Sequence, residues 1–95
     1  MKVGILGTGV VGEALASAFH AIGAEVMMGS RAAGNEKAVA WAKGRGARAA
    51  EGSFGDAARF GETIVFATKG SANLDVVEAA GADSFAGKLV IDSTN

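Results

Sequence analysis

The apolar positions of this chain come in short bursts separated by glycines. Val3, Ile5 and Leu6 stand almost together and stop at Gly7, which predicts a strand over Lys2–Leu6, covered on both faces because polar alternation is missing. Val11, Leu15, Ala18 and Ile22 then recur at helical spacing, so a helix is expected with that stripe inward and with Gly23 ending it. Val26, Met27 and Met28 mark a second strand over Glu25–Gly29, followed by a loop from Ser30 to Gly34. A second helix is expected over Asn35–Lys43, stopping at Gly44 or Gly46, and a weak third strand over Ala47–Ala50. Ser53 with Asp56 three residues on reads as a capping box for a short helix. Thr63–Ala67, with Ile64, Val65 and Phe66, is a fourth strand, and Lys69–Ser71 a loop. Leu74, Val77 and Ala80 mark a fourth helix, and Leu89, Val90 and Ile91 a fifth strand ending near Asp92.

Strands alternating with helices at this spacing predict an α/β fold: a doubly wound parallel sheet of the Rossmann type, about five strands, with helices on both faces. The 95 residues make one domain, 1–95, with no internal repeat or linker. A complete six-stranded dinucleotide fold needs more chain. The expectation is therefore that the natural protein continues past Asn95, as the N-terminal part of a longer enzyme, or that the domain pairs with another copy.

Charge and composition narrow the chemistry. Net charge is −1, and Lys43, Arg45 and Arg48 are too sparse for a nucleic-acid surface and read as a solvated helix end. There is no cysteine, hence no disulfide framework or thiolate metal site, which fits a cytoplasmic protein. No apolar run approaches the ~20 residues of a membrane helix, and the N-terminus does not read as a signal peptide.

Gly7-Thr8-Gly9-Val10-Val11-Gly12 matches G-x-G-x-x-G, a weak motif alone but a strong one between a predicted strand and a predicted helix. Gly7 would permit the tight turn, Gly9 the approach of a pyrophosphate, and Gly12 close packing of helix on strand. Free N–H groups and the helix dipole favour the diphosphate there. Glu13 follows the last glycine where a P-loop needs Lys-Ser/Thr, which excludes that alternative. The bland reading is a tight turn without a ligand.

The end of the second strand selects the cofactor. NAD-binding domains place Asp or Glu about 20 residues past the glycines to hold the ribose 2′-hydroxyl. Here Gly29-Ser30-Arg31 stands at that distance, Arg31 lying 19 residues past Gly12. A guanidinium pairs bidentately with a 2′-phosphate, Ser30 adds a hydroxyl and Lys37 adds charge. The pattern predicts NADP(H) rather than NAD(H), and argues against an S-adenosylmethionine enzyme, whose ribose also wants an acid. A solvated loop arginine is the competing explanation.

Lys2-Val3-Gly4-Ile5-Leu6-Gly7-Thr8-Gly9, Val26-Met27-Met28-Gly29-Ser30-Arg31 and Val90-Ile91-Asp92-Ser93-Thr94-Asn95 together resemble the N-terminal domain of the NADPH-dependent coenzyme F420 reductases, a deazaflavin family. Metalloreductases with a transmembrane haem domain carry a related cytosolic domain. The resemblance spans the whole chain, which would be only the cofactor half of such an enzyme. It implies that Thr8, Gly9, Val10 and Val11 meet the pyrophosphate and nicotinamide side, that Ser30 and Arg31 hold the 2′-phosphate, and that Ala67, Thr68 and Lys69 line the nicotinamide pocket. Family members often have proline in that last loop, where Thr68-Lys69 stands here. The implied reaction is hydride transfer between NADPH and a deazaflavin (coenzyme F420) or similar acceptor, which the cofactors themselves carry. An imine, a flavin or ferric iron are alternative acceptors. A non-catalytic NADP(H)-binding module or sensor is the alternative of a different class.

No catalytic residue and no metal site is assigned. His20 falls off the expected helix stripe and reads as solvent-exposed. Lys69 and Asp92 lie at the carboxyl edge of the sheet; Lys69 reads equally as a group for a phosphate or acidic substrate and as a solvated loop lysine, and Asp92 reads as a turn-capping acid. Trp41, Met27 and Met28 read as packing residues. The expected partners are a small-molecule acceptor and a second copy or a missing C-terminal domain.

Overall fold

The computed structural model describes residues 1–68 and 73–93. Five strands form one parallel sheet: β1 (Lys2–Leu6), β2 (Glu25–Ser30), β3 (Ala49–Ser53), β4 (Thr63–Phe66) and β5 (Leu89–Asp92). The helices are α1 (Val10–Ala21), α2 (Glu36–Ala42), α3 (Phe54–Phe60) and α4 (Asn73–Ala80), with a 3₁₀ turn at Ala82–Phe85 before β5. The strand order is β3-β2-β1-β4-β5, so β1 is central and the chain reverses direction across the sheet between β1 and β4. The expected doubly wound Rossmann-type sheet is what the chain forms.

The sheet is packed on two sides. Val3, Ile5, Val26, Met28 and Val65 meet Ala16 of α1 and Ala38 and Trp41 of α2, with Leu15 and Phe19 joining at the margin. Leu6, Ile64 and Phe66 meet Phe54, Ala57 and Ala58 of α3 and Val76 and Ala80 of α4. This explains the unbroken apolar run of β1: both of its faces are covered, and Val3, Ile5 and Leu6 are fully buried. On β5 the apolar side chains of Leu89, Val90 and Ile91 stay exposed.

Several details depart from the periodicity. The inward side of α1 is Gly12, Leu15, Ala16 and Phe19; Val11, Ala18 and Ile22 of the expected stripe are exposed, and only Leu15 is shared. On α4, Val76 and Ala80 are buried and Leu74 is not. Third-strand pairing begins at Ala49 and runs on to Ser53, later than its apolar residues suggested, because the ladder to β2 fixes it: Val26 faces Ala49 and Ser30 faces Ser53. The 3₁₀ turn had no periodic signal. It is held by Phe85 stacking on Phe66 at 5.6 Å and by Ser84 Oγ donating to the Ala80 carbonyl.

Two of the three basic residues are not simply solvated either. Arg48 donates to the carbonyls of His20 and Ala24, and Arg45 lies over Trp41 at 5.2 Å and donates to Ser17 Oγ. His20 is half-buried, with Nε2 at 3.0 Å from the Arg45 carbonyl and its ring edge-on to Trp41. Trp41 itself is a packing residue, as expected, and donates through Nε1 to Ser17 Oγ.

The capping box is formed. Ser53 Oγ accepts from the Asp56 N–H, and Asp56 Oδ2 accepts from the Ser53 N–H at 3.0 Å. The Ser53 backbone N–H chiefly, then the Ser53 side chain and Arg59, hold the Asp56 carboxyl below its ordinary value. A carboxyl depressed by folding adds stability above its unfolded pKa, near 4, and loses it as pH falls through the folded pKa. Ser53→Ala should therefore cost about 1 kcal/mol at neutral pH in urea unfolding. In Asp56→Asn the loss of stability below about pH 4 should be shallower than in the parent. Identical acid limbs for parent and variant would show that the charge of Asp56 contributes nothing.

Candidate functional site

The carboxyl ends of the five parallel strands lie along one edge of the sheet, and the sequence-predicted residues in the described part of the chain gather there. Beyond β1 the chain turns sharply. The Gly7 N–H donates to the Gly29 carbonyl at 2.9 Å, and the Ala67 N–H donates to the Leu6 carbonyl at 2.9 Å. The turn thus sits between the ends of β2 and β4. This is the place where strand order reverses, the usual ligand crevice of open parallel sheets.

The three glycines of the turn answer to different constraints. Gly7 has φ +135°, and a Cβ there would come within 2.7 Å of the Ala67 carbonyl oxygen, so only glycine fits. A Cβ at Gly12 would lie 2.5 Å from the Gly7 carbonyl oxygen, which sets how closely α1 packs on the turn. Gly9 is different. Its φ is −77°, accessible to any residue, and nothing lies within 4 Å of a Cβ built there. Inside the protein, nothing requires glycine at position 9.

Gly9 is also the N-cap of α1, and it provides no side-chain acceptor for the helix. Its carbonyl accepts from the Glu13 N–H, so the N–H groups of Val10, Val11 and Gly12 are the orphan donors of the first turn. Thr8 is half-buried, Gly9 and Val11 are exposed, and Val10 is 86% exposed. The turn therefore shows donors, a hydroxyl-bearing residue and two apolar side chains to the outside. An open groove lined by Val10, Glu13, Ala14 and Ser17 continues along α1.

On the neighbouring strand, β2 ends in Gly29 and Ser30. Ser30 is buried, and its hydroxyl donates to the Ala32 carbonyl at 2.7 Å. It could donate to a phosphate only by giving up that bond. Arg31 is exposed, and among the described residues it has no hydrogen-bond or ion-pair partner. No carboxylate replaces it at this position. Lys37 is exposed in the first turn of α2, whose N-cap Asn35 accepts from the Lys37 and Ala38 N–H groups.

One contributor to this region carries no sequence signal. Glu51 of β3 accepts from the Gly34 N–H with both carboxylate oxygens, at 2.7 and 3.2 Å. An acid in an edge strand looks like any solvated residue until the loop geometry is seen.

The third expected segment is described in part. Ala67 and Thr68 follow β4 and are half-buried; Ala67 touches both the turn at Gly7 and the place a Gly12 side chain would fill. Lys69 lies outside the described residues, as do Thr94 and Asn95. Asp92 is exposed at the end of β5, opposite Phe66 in register. His20 is at the far end of α1, hydrogen-bonded near the beginning of β3, and so stands at the opposite edge of the sheet from the glycine turn. Among the described residues no cluster could hold a metal ion, and no helix is long and apolar enough to cross a membrane.

Comparison with known proteins agrees with this fold. Residues 2–95 match the family model described as NADP oxidoreductase, coenzyme F420-dependent. Among solved structures, a protein from Arthrobacter sp. FB24 assigned as an F420-dependent NADP-reductase is 33% identical, with a TM-score of 0.85 over 100% of this chain and 46% of its own. An imine reductase from Streptomyces aurantiacus is 26% identical, with a TM-score of 0.82 over 99% of this chain and 32% of its own. The chain therefore spans less than half the length of these relatives. No curated protein matches it.

Proposed function

Since the chain belongs to the coenzyme F420-dependent NADP oxidoreductase family, we propose that it is the domain that holds NADP(H) in an NADPH-dependent reductase. One observation carries this reading. On two adjacent strands, at one edge of the sheet, a glycine turn with nothing over Gly9 stands beside an exposed arginine that has no partner among the described residues.

The first turn of α1 would hold the diphosphate: the orphan N–H groups of Val10, Val11 and Gly12 and the positive end of the helix would favour it there, and the bare Cα of Gly9 would let it come close. Arg31 would pair with the ribose 2′-phosphate. The carbonyl of Ala32 competes for the hydroxyl of Ser30, so Arg31 supplies the charge and Ser30 shapes the loop. Thr8 and the Ala67–Thr68 segment at the ends of β1 and β4 would hold the nicotinamide, with Val10 and Val11 as an apolar wall. Lys69 is assigned to the same pocket by the family resemblance alone. When bound, NADPH would supply the hydride that the acceptor takes up. The protein's own task is to orient the ring and exclude water, which needs no acid–base pair.

Relatives named for different acceptors, a deazaflavin and an imine, share this span of chain. The acceptor is therefore chosen by other segments, and this domain does the part common to both. A deazaflavin is the acceptor proposed, because the family model and the 33%-identical structure both carry that name. The exposed apolar side of β5 is where a second copy or further chain would complete the enzyme.

A side-by-side titration of NADPH and NADH, followed by nicotinamide fluorescence, tests the reading. NADPH should bind at least about tenfold more tightly, the scale of one charge-assisted contact. Equal affinities would reduce the chain to an unspecialised dinucleotide domain, and no binding of either would remove the cofactor reading.

A further inference from the structure

We infer that Glu51 of β3 is a positioning residue for the loop that carries Arg31, and thereby helps set the preference for NADPH over NADH. The inference rests on the proposed role of Arg31 at the 2′-phosphate. The loop from Arg31 to Gly34, four exposed residues, leads from β2 to Asn35, the N-cap of α2. It has few ways to hold a shape. At its start, the Ser30 hydroxyl closes on the Ala32 carbonyl; at its end, Asn35 caps α2. Between these anchors the backbone reverses at Gly34, with φ +88°. The N–H of that residue is taken by both oxygens of Glu51.

Glu51 faces Met28 in the β2–β3 ladder, and Met28 packs toward α1 and α2. The carboxylate therefore rises from the side of the sheet on which α2 and the loop lie. Among the described residues it has no cationic partner, and the Gly34 N–H is its one hydrogen-bond donor. A carboxylate on a backbone N–H is a charge-assisted bond, stronger than a neutral one. It pins the residue three places beyond Arg31. A guanidinium offers its donors in a rigid fork, so its grip on a phosphate depends on where its backbone is held.

Two effects of Glu51 oppose each other, and this makes the inference decidable. As a positioning group it should favour the 2′-phosphate. As a bare negative charge near a dianion it should repel it. The geometry points to the first, because the carboxylate is spent on the loop.

The experiment is fluorescence titration of the 95-residue chain with NADPH and with NADH, for the parent, Glu51→Ala, Glu51→Gln and Arg31→Ala, with thermal midpoints for each. Glu51→Ala should weaken NADPH roughly three- to tenfold, the range for one lost anchoring hydrogen bond, and leave NADH unchanged. Glu51→Gln keeps a carbonyl acceptor for the Gly34 N–H and should recover most of the loss. Tighter NADPH binding in Glu51→Ala would mean that repulsion dominates, and unchanged binding that the loop needs no anchor; either overturns the inference. Equal weakening of both cofactors, or no recovery in Glu51→Gln, does so as well. Loss of NADPH preference in Arg31→Ala but not in Glu51→Ala would defeat the Glu51 role alone. Retained preference in Arg31→Ala would defeat the underlying site assignment.

Discussion

Arg31→Ala should cost NADPH roughly ten- to a hundredfold in affinity while leaving NADH within about twofold. A hydrogen bond to a charged group is worth about 1.5–3 kcal/mol, which corresponds to that range. Two features of the structure make the expectation sharp. Arg31 is exposed and has no partner among the described residues, so its removal takes nothing from the fold. The two cofactors differ only in the 2′-phosphate, so every contribution from the glycine turn cancels in the comparison. Arg31→Lys should fall between, since an ammonium keeps the charge but loses the fork. Parallel titrations of the three proteins decide it. If both cofactors weaken together in Arg31→Ala, the arginine acts on the domain as a whole and the 2′-phosphate must be sought elsewhere.

Gly4→Ala should be the most damaging single methyl group among the described glycines. Gly4 sits in the central strand with α3 lying directly on it. A Cβ there would fall 2.2 Å from the Ala57 carbonyl oxygen and 2.9 Å from its carbon. Both are backbone atoms and cannot rotate away. Nor can α3 shift easily toward β2, because the Ala57 methyl group already fills the place of the missing Gly29 side chain, 2.8 Å from where its Cβ would stand. The helix must lift from the sheet, and overpacking of this kind costs about 1–3 kcal/mol or more. For a domain of this size that lowers Tm by roughly 5 to 20 °C, readable by circular dichroism. Gly9→Ala is the matched control. It has open space and an ordinary φ, so its Tm should equal the parent's while NADPH binding falls. An unchanged Tm in Gly4→Ala would mean that α3 is not held as the structure has it.

These two glycines also show what could be read from the chain beforehand. The G-x-G-x-x-G spacing located the turn and the paired roles of Gly7 and Gly12, because such roles are set by local backbone geometry. Gly4 belongs to no motif. Its necessity comes from Ala57, more than fifty residues later. The rotation of α1 was missed for a related reason. Hydrophobic periodicity weights Val11 and Ile22, but the turn requires Gly12 to lie against the Gly7 carbonyl, and the helix rotates to suit. The inward side then consists of Gly12, Leu15, Ala16 and Phe19, two of them too small to register as apolar signals. The strands were legible where both faces are covered, as in β1 and β4. In β3 the ladder to β2, not the apolar content of Ala49–Ser53, decides the pairing, so the strand emerged displaced.

The candidate site divides in the same way. Arg31 was visible because its place in a motif, and the missing acid, are both linear facts. The engagement of Ser30 with Ala32 and the grip of Glu51 on Gly34 depend on a loop conformation that no spacing encodes. The same holds for Arg45 and Arg48, which looked like solvent-facing charge and instead tie the α2–β3 connection to α1 and β2.

The order β3-β2-β1-β4-β5 has a further consequence, for the sequence of events in folding. β1 pairs with β2 across one helical crossover, but with β4 only after sixty residues, Val3 lying opposite Thr63. Closing the longer loop carries the greater entropy loss and must wait for contacts that repay it. The left half of the sheet, from β1 to β3, is thus the half that assembles locally. The glycine turn and the Arg31 loop both lie within it. The proposed grip on the nucleotide's phosphates would therefore belong to the part of the chain that can take shape first, and the proposed nicotinamide end would be completed only when β4 docks.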